Sequence, residues 1–312
     1  MRVGVVDIGT NSTRLLVAEV RDGSIRELER RSEVTRLGQG VDATGALAPE
    51  AQERVFAVLD AYREAIDAHG CEVTTAVLTS AVRDASNGAE FTAQVRERYG
   101  LDARTIDGDT EAQLTFLGAT AERGADDPGG LVVIDIGGGS TEYVVGEDGE
   151  MTFHVSTQAG VVRQTERHLH SDPPAHEELE ALAAEVREIV AREVPAEVRA
   201  RVGHAVAVAG TATSCAAIDQ ELEPYDPAKV HGYRVQEGAL ELMLARLAEM
   251  TVEQRRSVPG LHPDRAPTIV AGVVILLEAL RAFGLDEVEV SEHDILWGAA
   301  LAVAADAGAQ GP

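Results

Sequence analysis

An apolar run that ends in Asp-Ile-Gly occurs twice in this chain, within residues 3–14 and again within residues 132–142. In each copy a carboxylate, Asp7 or Asp135, falls where the run ends. The glycine that follows has no Cβ, so backbone amides can approach an anion there. Each copy then continues into a second apolar run, where a nucleotide P-loop would need a helix. The repeat therefore predicts two β-hairpins whose tips bind phosphate.

The elements predicted after the first hairpin recur after the second. Apolar spacing predicts helices over 49–70, 89–99, 109–118, 176–193, 235–250 and 268–283 and from 294 onward. Further strands are predicted over 25–36, 72–79, 104–106, 205–209 and 288–290. We therefore expect two α/β domains of one architecture, residues 1–123 and 124–312, with a linker over 122–130 and the last helix packing back on the first domain. This duplication would place Asp7 and Asp135 face to face across a cleft.

The composition limits the partners of the chain. Its 312 residues carry a net charge of -26, and Lys229 is the only lysine, so we expect no basic track for nucleic acid. Cys71 and Cys215 have no zinc-site or close-pair spacing, which indicates a reducing compartment. Asp7 interrupts the first apolar stretch, so no signal peptide is predicted, and no later run is long enough to span a bilayer. We expect a cytoplasmic protein that does not bind membranes.

Candidate site residues lie at the ends of the predicted strands. Carboxylates suited to a hard ion such as Mg²⁺ are Asp7, Asp135 and Glu142. Groups suited to phosphate lie in both hairpin tips and in a third glycine loop over 209–213, namely Gly9, Thr10, Asn11, Ser12, Gly137, Gly138, Gly139, Ser140, Thr141, Gly210 and Thr211. Arg14 and Arg83 follow strand ends, where a guanidinium group could either hold phosphate or simply face solvent. Arg163 and Arg265 are weaker candidates of the same kind.

Glu111 is the candidate for the group that activates water. It is predicted to lie at the start of a helix that Asp109 or Thr110 caps. A carboxylate at this position can act as a base, or it can only interact with the helix dipole. His168 and His170 resemble a metal pair, but a loop is the favoured interpretation. No Walker sequence and no G-x-G-x-x-G spacing is present, so P-loop and dinucleotide sites are set aside.

Together these motifs give the chain a strong resemblance to the exopolyphosphatase and guanosine pentaphosphate phosphohydrolase family of the sugar kinase, heat-shock protein and actin superfamily. The residues that carry the resemblance are 7–12, 79–83, 108–112, 135–142, 210–213 and 259–261. It implies an α/β fold of two actin-like (ribonuclease H-like) domains, with mixed sheets flanked by helices and an active site in the interdomain cleft. It also implies that Glu111 is catalytic, that Asp135 and Glu142 lie in the metal and phosphate site, and that Arg14 and Arg83 contact phosphate.

The activity that the resemblance implies is Mg²⁺-assisted attack of water on the terminal phosphoryl group of inorganic polyphosphate. Mn²⁺ is a possible substitute, and a homodimer is implied. One alternative is hydrolysis of the γ-phosphate of guanosine pentaphosphate (pppGpp) or another nucleotide. An alternative of a different class is an actin-like sugar kinase or ATP-binding assembly protein.

The chain also departs from the family pattern. Thr110 stands where a second acid is frequent, and Leu296-Trp297 replaces a common Arg-Glu, which removes one positive contact. The chain resembles the short, two-domain form of the family, so we do not expect the extra C-terminal helical domains that longer relatives carry. Because the net negative charge would also slow capture of a long polyanion, we expect a preference for short chains.

Overall fold

The computed structural model of the protein describes residues 1–123, 130–147 and 149–309. These residues separate into two compact units. Unit 1 consists of Met1–Ala121 and Asp294–Pro312, and unit 2 consists of Glu122–His293. The linker predicted over 122–130 lies largely outside the described residues.

Unit 1 is built on a five-stranded mixed sheet. Its strands are β1 Arg2–Ile8, β2 Ser12–Arg21, β3 Ser24–Val34, β4 Val73–Leu78 and β5 Asp102–Thr105. They lie in the order β3-β2-β1-β4-β5, and β1 is antiparallel to β2 and parallel to β4. The tip of the β1–β2 hairpin therefore lies at the edge where β4 also ends.

Helices cover both faces of this sheet. They are α1 Val41–Thr44, α2 Pro49–Ala68, α3 Ser80–Asp84, α4 Gly88–Tyr99, α5 Gly108–Thr120 and α14 Ile295–Ala309. Side chains alternate along β1, so that Val6 and Ile8 join the core under α2 while Val3 and Val5 pack with α14. Asp7 shares the face of Val3 and Val5, which directs its carboxylate toward the α14 side.

Unit 2 repeats this arrangement with one added strand. Its strands are β6 Gly130–Ile136, β7 Thr141–Glu147, β8 Glu150–Thr157, β9 Val202–Val208, β10 Arg234–Gln236 and β11 Glu287–Val290. They lie in the order β10-β11-β9-β6-β7-β8, with β6 antiparallel to β7 and parallel to β9. Five strands of unit 2, in the order β8-β7-β6-β9-β11, thus repeat the order and directions of β3-β2-β1-β4-β5 in unit 1.

The core of unit 2 forms around an almost entirely apolar helix. The α-helices are α6 Val161–His168, α7 His176–Glu193, α8 Ala196–Arg199, α9 Ala209–Asp219, α10 Pro227–Val230, α11 Glu237–Ala248, α12 Val252–Arg255 and α13 Ile269–Phe283, and a 3-10 turn covers Pro263–Arg265. Thirteen residues of α13 are buried, and they pack with side chains from α7, α9 and α11. No helix in the described ranges is long and apolar enough to cross a membrane.

The third glycine loop predicted over 209–213 is wrong. These residues form the first turn of α9, because Ala209 alone absorbs the change of direction after β9. Its φ of 63° lies in the left-handed region that residues with a Cβ seldom adopt. The cap of α5 also differs, since Asp107 rather than Asp109 or Thr110 accepts the amide hydrogen of Thr110 at 2.8 Å. The pattern does not predict α6, whose last residue is His168.

Candidate active site

The hairpin tip of unit 1 is closed by the Gly9 amide, which donates to the Ser12 carbonyl at 3.0 Å. Two residues further into the strands, Asp7 lies directly opposite Arg14. The Arg14 Nε and Nη2 atoms donate to Asp7 Oδ2 at 2.8 and 2.6 Å. The carboxylate at the end of β1 is thus partly neutralised by its cross-strand partner.

Asp294 is a buried member of this group that sequence reasoning missed. It precedes α14, and its Oδ1 accepts the amide hydrogen of Leu296 at 3.0 Å. Its Oδ2 accepts a hydrogen bond from Arg14 Nη1. Arg14 therefore joins two carboxylates that are 287 residues apart in the chain, and only the packing of α14 on β1 and β2 brings them together.

The pKa values of Asp7 and Asp294 are shifted in opposite directions. Burial raises the pKa of Asp7 above its ordinary value, although Arg14 opposes the shift. Burial acts on Asp294 as well, but Arg14, Arg30 and the Leu296 amide outweigh it and hold the pKa of Asp294 below its ordinary value. Asp7 Oδ1 is buried and has no hydrogen-bond partner among the described residues, so it can still accept a donor or bind a cation.

The rest of this tip is tied to the protein by its own polar groups. Thr10 Oγ1 lies 2.8 Å from Ser80 Oγ and accepts the Ala81 amide hydrogen at 3.2 Å. The carbonyls of Thr10 and Asn11 accept the amides of Gly38 and Arg36 at 2.8 and 2.9 Å. Thr10 and Asn11 are buried, whereas Ser12 is partly exposed. The groups of this tip that are predicted to bind phosphate are therefore held in place through Thr10.

Glu111 is buried in the first turn of α5, and Arg83 contacts it. Arg83 Nη1 donates to Glu111 Oε2 and to the Ile106 carbonyl, both at 3.0 Å. The Glu111 side chain is only 9% exposed, against 23% for Arg83. Two residues singled out separately from the sequence thus form one ion pair, which holds the buried Glu111 carboxylate in a fixed orientation.

Helix α14 also fixes the position of α5. A Cβ on Gly118 of α5 would lie 2.0 Å from the Asp294 carbonyl oxygen, and one on Gly298 of α14 would lie 1.7 Å from the Leu114 carbonyl oxygen. Glycine is required at both positions because the two backbones almost touch. Between these contacts, Leu296 and Trp297 are buried against β1 and β2, so the residues that replace the common Arg-Glu are core residues.

The hairpin tip of unit 2 has the same closure and a different pair of side chains. The Gly137 amide donates to the Ser140 carbonyl at 2.9 Å, as Gly9 does in unit 1. Asp135 lies directly opposite Glu142, and both are buried. Glu142 Oε1 accepts a hydrogen bond from Ser156 Oγ at 2.7 Å. Directly opposed residues of antiparallel strands share one face, so two carboxylates are adjacent here.

The N-terminal end of α6 supports the loop of unit 2. The amides of Val161 and Val162 donate to the carbonyls of Gly137 and Gly138 at 2.9 and 2.8 Å. Arg163 Nε donates to the Gly139 carbonyl at 3.0 Å, which places this cationic side chain beside the loop. Thr141 instead uses its hydroxyl to bind the Ala159 carbonyl at 2.7 Å.

Gly210 and Thr211 lie in the first turn of α9, and Arg265 lies over Gly210. A Cβ on Gly210 would be 1.6 Å from Arg265 Nη1. Gly210 and Thr211 thus belong to a helix terminus rather than a loop, with the Arg265 guanidinium group beside Gly210. His168 is in contact with Glu185, with 2.5 Å between Nε2 and Oε2, and His170 follows α6.

The chain is similar in sequence to exopolyphosphatases and in structure to a Ppx/GppA protein. A family model described as the Ppx/GppA phosphatase family matches residues 16–298. Exopolyphosphatase 2 of Mycobacterium tuberculosis is 42% identical over 321 residues, which cover 97% of this chain and 98% of the relative. Exopolyphosphatase 1 of Mycobacterium bovis is 30% identical, over 93% and 84% of the two chains. The crystal structure of the Aquifex aeolicus Ppx/GppA family member is 31% identical with a TM-score of 0.82, over 98% of both chains.

Proposed function

We propose, because the chain belongs to the Ppx/GppA phosphatase family, that it is an exopolyphosphatase releasing terminal orthophosphate from inorganic polyphosphate. The chain is a phosphatase hydrolase of α/β fold with two actin-like units. The names of its relatives support polyphosphate as the substrate.

The observation that carries the proposal is the ion pair between the buried Glu111 and the partly exposed Arg83. A general base needs a carboxylate held within reach of the attacking water, and Arg83 fixes Glu111 Oε2 at 3.0 Å. Arg83 also brings a cation next to the base, where phosphate oxygens can share it. A residue that served only the helix dipole would not need to be buried beside an arginine.

We propose that Asp135 and Glu142 hold a divalent cation, with Mg²⁺ the expected ion and Mn²⁺ a substitute. Two carboxylates at directly opposed positions repel each other when both are ionised, and a divalent cation offsets that repulsion. The oxygen donors match the preference of Mg²⁺ for hard ligands. In unit 1, Asp7 is proposed separately as a group that can bind a cation, because its Oδ1 is buried without a hydrogen-bond partner in the described structure. When bound, such an ion neutralises charge on the phosphoryl oxygens.

The remaining candidates are proposed to bind phosphate. In unit 1 these are the tip amides and Arg14, which Asp7 and Asp294 hold in one orientation. In unit 2 they are the tip Gly137–Thr141, Gly210 and Thr211, with Arg163 and Arg265 beside them. Backbone amides and guanidinium groups fixed before substrate binds can stabilise the charge that spreads over the transferred phosphoryl group.

The proposed reaction is a single displacement. A water oxygen attacks the terminal phosphorus, the bond to the bridging oxygen breaks, and Glu111 takes a proton from the water. Orthophosphate and a polyphosphate shorter by one unit are the products. The chain is strongly acidic, with a net charge of -26, so we propose that it prefers short polyphosphate.

The test is an orthophosphate-release assay with Mg²⁺ and, separately, short polyphosphate, long polyphosphate, pppGpp, and ATP with or without sugars. We expect the highest kcat/KM on short polyphosphate. A higher value on pppGpp would reassign the substrate to the nucleotide. Consumption of ATP only when a sugar is present would contradict hydrolysis altogether and point to a kinase.

A further inference from the structure

Two histidines and a glutamate form a cluster outside the candidate active-site residues. They are Glu122, His231 and His293, and each offers one ligand atom within 4.8 Å of the other two. All three belong to unit 2, of which Glu122 and His293 are the first and last residues. His231 and His293 are 62 positions apart in the sequence, so no spacing motif could reveal them.

The backbone of unit 2 holds the two imidazoles side by side. The amide of Gly232 donates to the Val290 carbonyl and the amide of Val290 to the Tyr233 carbonyl, both at 2.8 Å. These bonds bring the segment after α10 against the end of β11. The ring centroids of His231 and His293 are 4.2 Å apart as a result.

Each histidine is also oriented by a local contact. The amide of His293 donates to Ser291 Oγ at 3.0 Å, and that hydroxyl donates to the His293 carbonyl at 3.2 Å. The amide of Glu292 donates to His231 Nδ1 at 3.2 Å. The third group, Glu122, brings its Oε2 to 3.7 Å from His293 Nδ1. The cluster is thus largely assembled before any ligand arrives.

We propose that Glu122, His231 and His293 bind a divalent transition metal of the Zn²⁺ type. Two imidazole nitrogens and one carboxylate oxygen are a common zinc ligand set, whereas Mg²⁺ prefers oxygen alone. Bonds of about 2.0–2.1 Å put tetrahedral ligand atoms roughly 3.4 Å apart, so the cluster must contract slightly. The Glu122 side chain is 59% exposed and can make that movement.

Binding has a defined chemical cost at His231. With Nδ1 accepting the Glu292 amide hydrogen, the neutral ring carries its proton on Nε2. A metal at either nitrogen must therefore displace this long hydrogen bond. The fourth position remains for water, and the acidic chain favours the capture of cations.

Such a metal would tie together the two ends of unit 2. Glu122 follows Ala121, and His293 precedes Asp294, so both ligands adjoin points where the chain passes to unit 1. Asp294 in turn accepts a hydrogen bond from Arg14. Such a site would link the first and last residues of unit 2, and its ligands are distinct from the carboxylates proposed for Mg²⁺.

The test is calorimetric titration of the chelator-treated full chain with Zn²⁺ in excess Mg²⁺, which keeps the acidic positions filled. We expect one equivalent of Zn²⁺ to bind to the wild type and the affinity to fall about tenfold or more in His231→Ala and in His293→Ala. His176→Ala is the matched control, because His176 forms another exposed pair with Glu180, at 3.2 Å. It should bind Zn²⁺ as the wild type does.

Co²⁺ provides a second readout that does not depend on stability. Four-coordinate Co²⁺ with nitrogen ligands should give visible absorption in the wild type and in His176→Ala, and lose it in His293→Ala. Zn²⁺ binding that is absent from the wild type, or unchanged in both His231→Ala and His293→Ala, would overturn the proposal. Because neither readout is turnover, either result leaves the phosphatase assignment unaffected.

Discussion

The two hairpin tips share a backbone and differ in the charge opposite the strand-end aspartate. Gly9 and Gly137 close the tips with equivalent amide bonds, and the aspartate lies one residue before the end of each strand. In unit 1 its partner is Arg14, whereas in unit 2 it is Glu142. One substitution at one register position thus changes a charge-compensated tip into a pair of carboxylates. Duplicated loops can therefore present different charges without any change of backbone.

The largest expected effect concerns Glu111, which belongs to neither tip. Glu111→Gln keeps the shape of the side chain but cannot take a proton, so kcat should fall by on the order of 10² or more while KM changes little. Steady-state phosphate release measures both. Asp109→Asn is the matched control, since Asp109 lies exposed in the same first helical turn. Near-normal turnover in Glu111→Gln would mean that a carboxylate of one of the tips is the base.

The next prediction concerns the glycines that support the tips. A Cβ on Gly160 would lie 2.3 Å from a backbone carbon of Gly139, whereas one on Gly38 would meet side-chain atoms, the Thr10 methyl group at 2.2 Å and the Ala81 Cβ at 3.1 Å. Gly160→Ala should therefore lower the free energy of unfolding by about 2 kcal/mol, and Gly38→Ala by less. Thermal unfolding followed by circular dichroism checks this. Gly203→Ala, with nothing within 4 Å of its Cβ, is the neutral control. Equal losses in all three variants would refute the packing argument.

A smaller effect separates the two carboxylates that bind Arg14. The pKa of Asp294 is lowered, so its ionised form stabilises the fold above the ordinary value of 3.8, and this contribution disappears as pH falls through the lower folded pKa. Asp294→Asn should cost about 1.5 kcal/mol near neutral pH and progressively less in acid. The pKa of Asp7 is raised, so the stability conferred by its neutral form is complete below 3.8 and is lost as pH rises through the folded pKa. The change in unfolding free energy caused by Asp7→Asn, measured by urea unfolding at several pH values, should therefore vary with pH in the opposite direction to that of Asp294→Asn. The same pH dependence in both variants would contradict the assigned pKa directions.

Much of the fold follows from local sequence, and the long apolar patterns were the most informative. The repeated Asp-Ile-Gly runs predict both hairpins, and the helix predicted over 176–193 has those bounds in the structure. The pattern fails at 209–213, where Gly-Thr-Ala-Thr suggests a loop. Because the left-handed Ala209 makes the turn by itself, these small residues can enter α9 at once.

Less of the candidate site can be predicted from sequence, because contacts between residues that are far apart in the chain complete it. Arg83 and Glu111 are each visible as motif residues, but only the fold shows that they form an ion pair. Asp294 belongs to no motif, and its role depends on the docking of α14 against β1 and β2. The same is true of His231 and His293, which the pairing of Gly232 with Val290 brings together.

The most direct test of the difference between the tips is the Mg²⁺ dependence of turnover in Glu142→Gln and Arg14→Gln. We predict that Glu142→Gln raises the Mg²⁺ concentration for half-maximal activity at least about tenfold, because a ligand is lost. Arg14→Gln should raise KM for polyphosphate and leave that Mg²⁺ concentration unchanged, because a phosphate contact is lost instead. An unchanged Mg²⁺ requirement in Glu142→Gln, or an equal shift in both variants, would contradict the division of roles between the two tips.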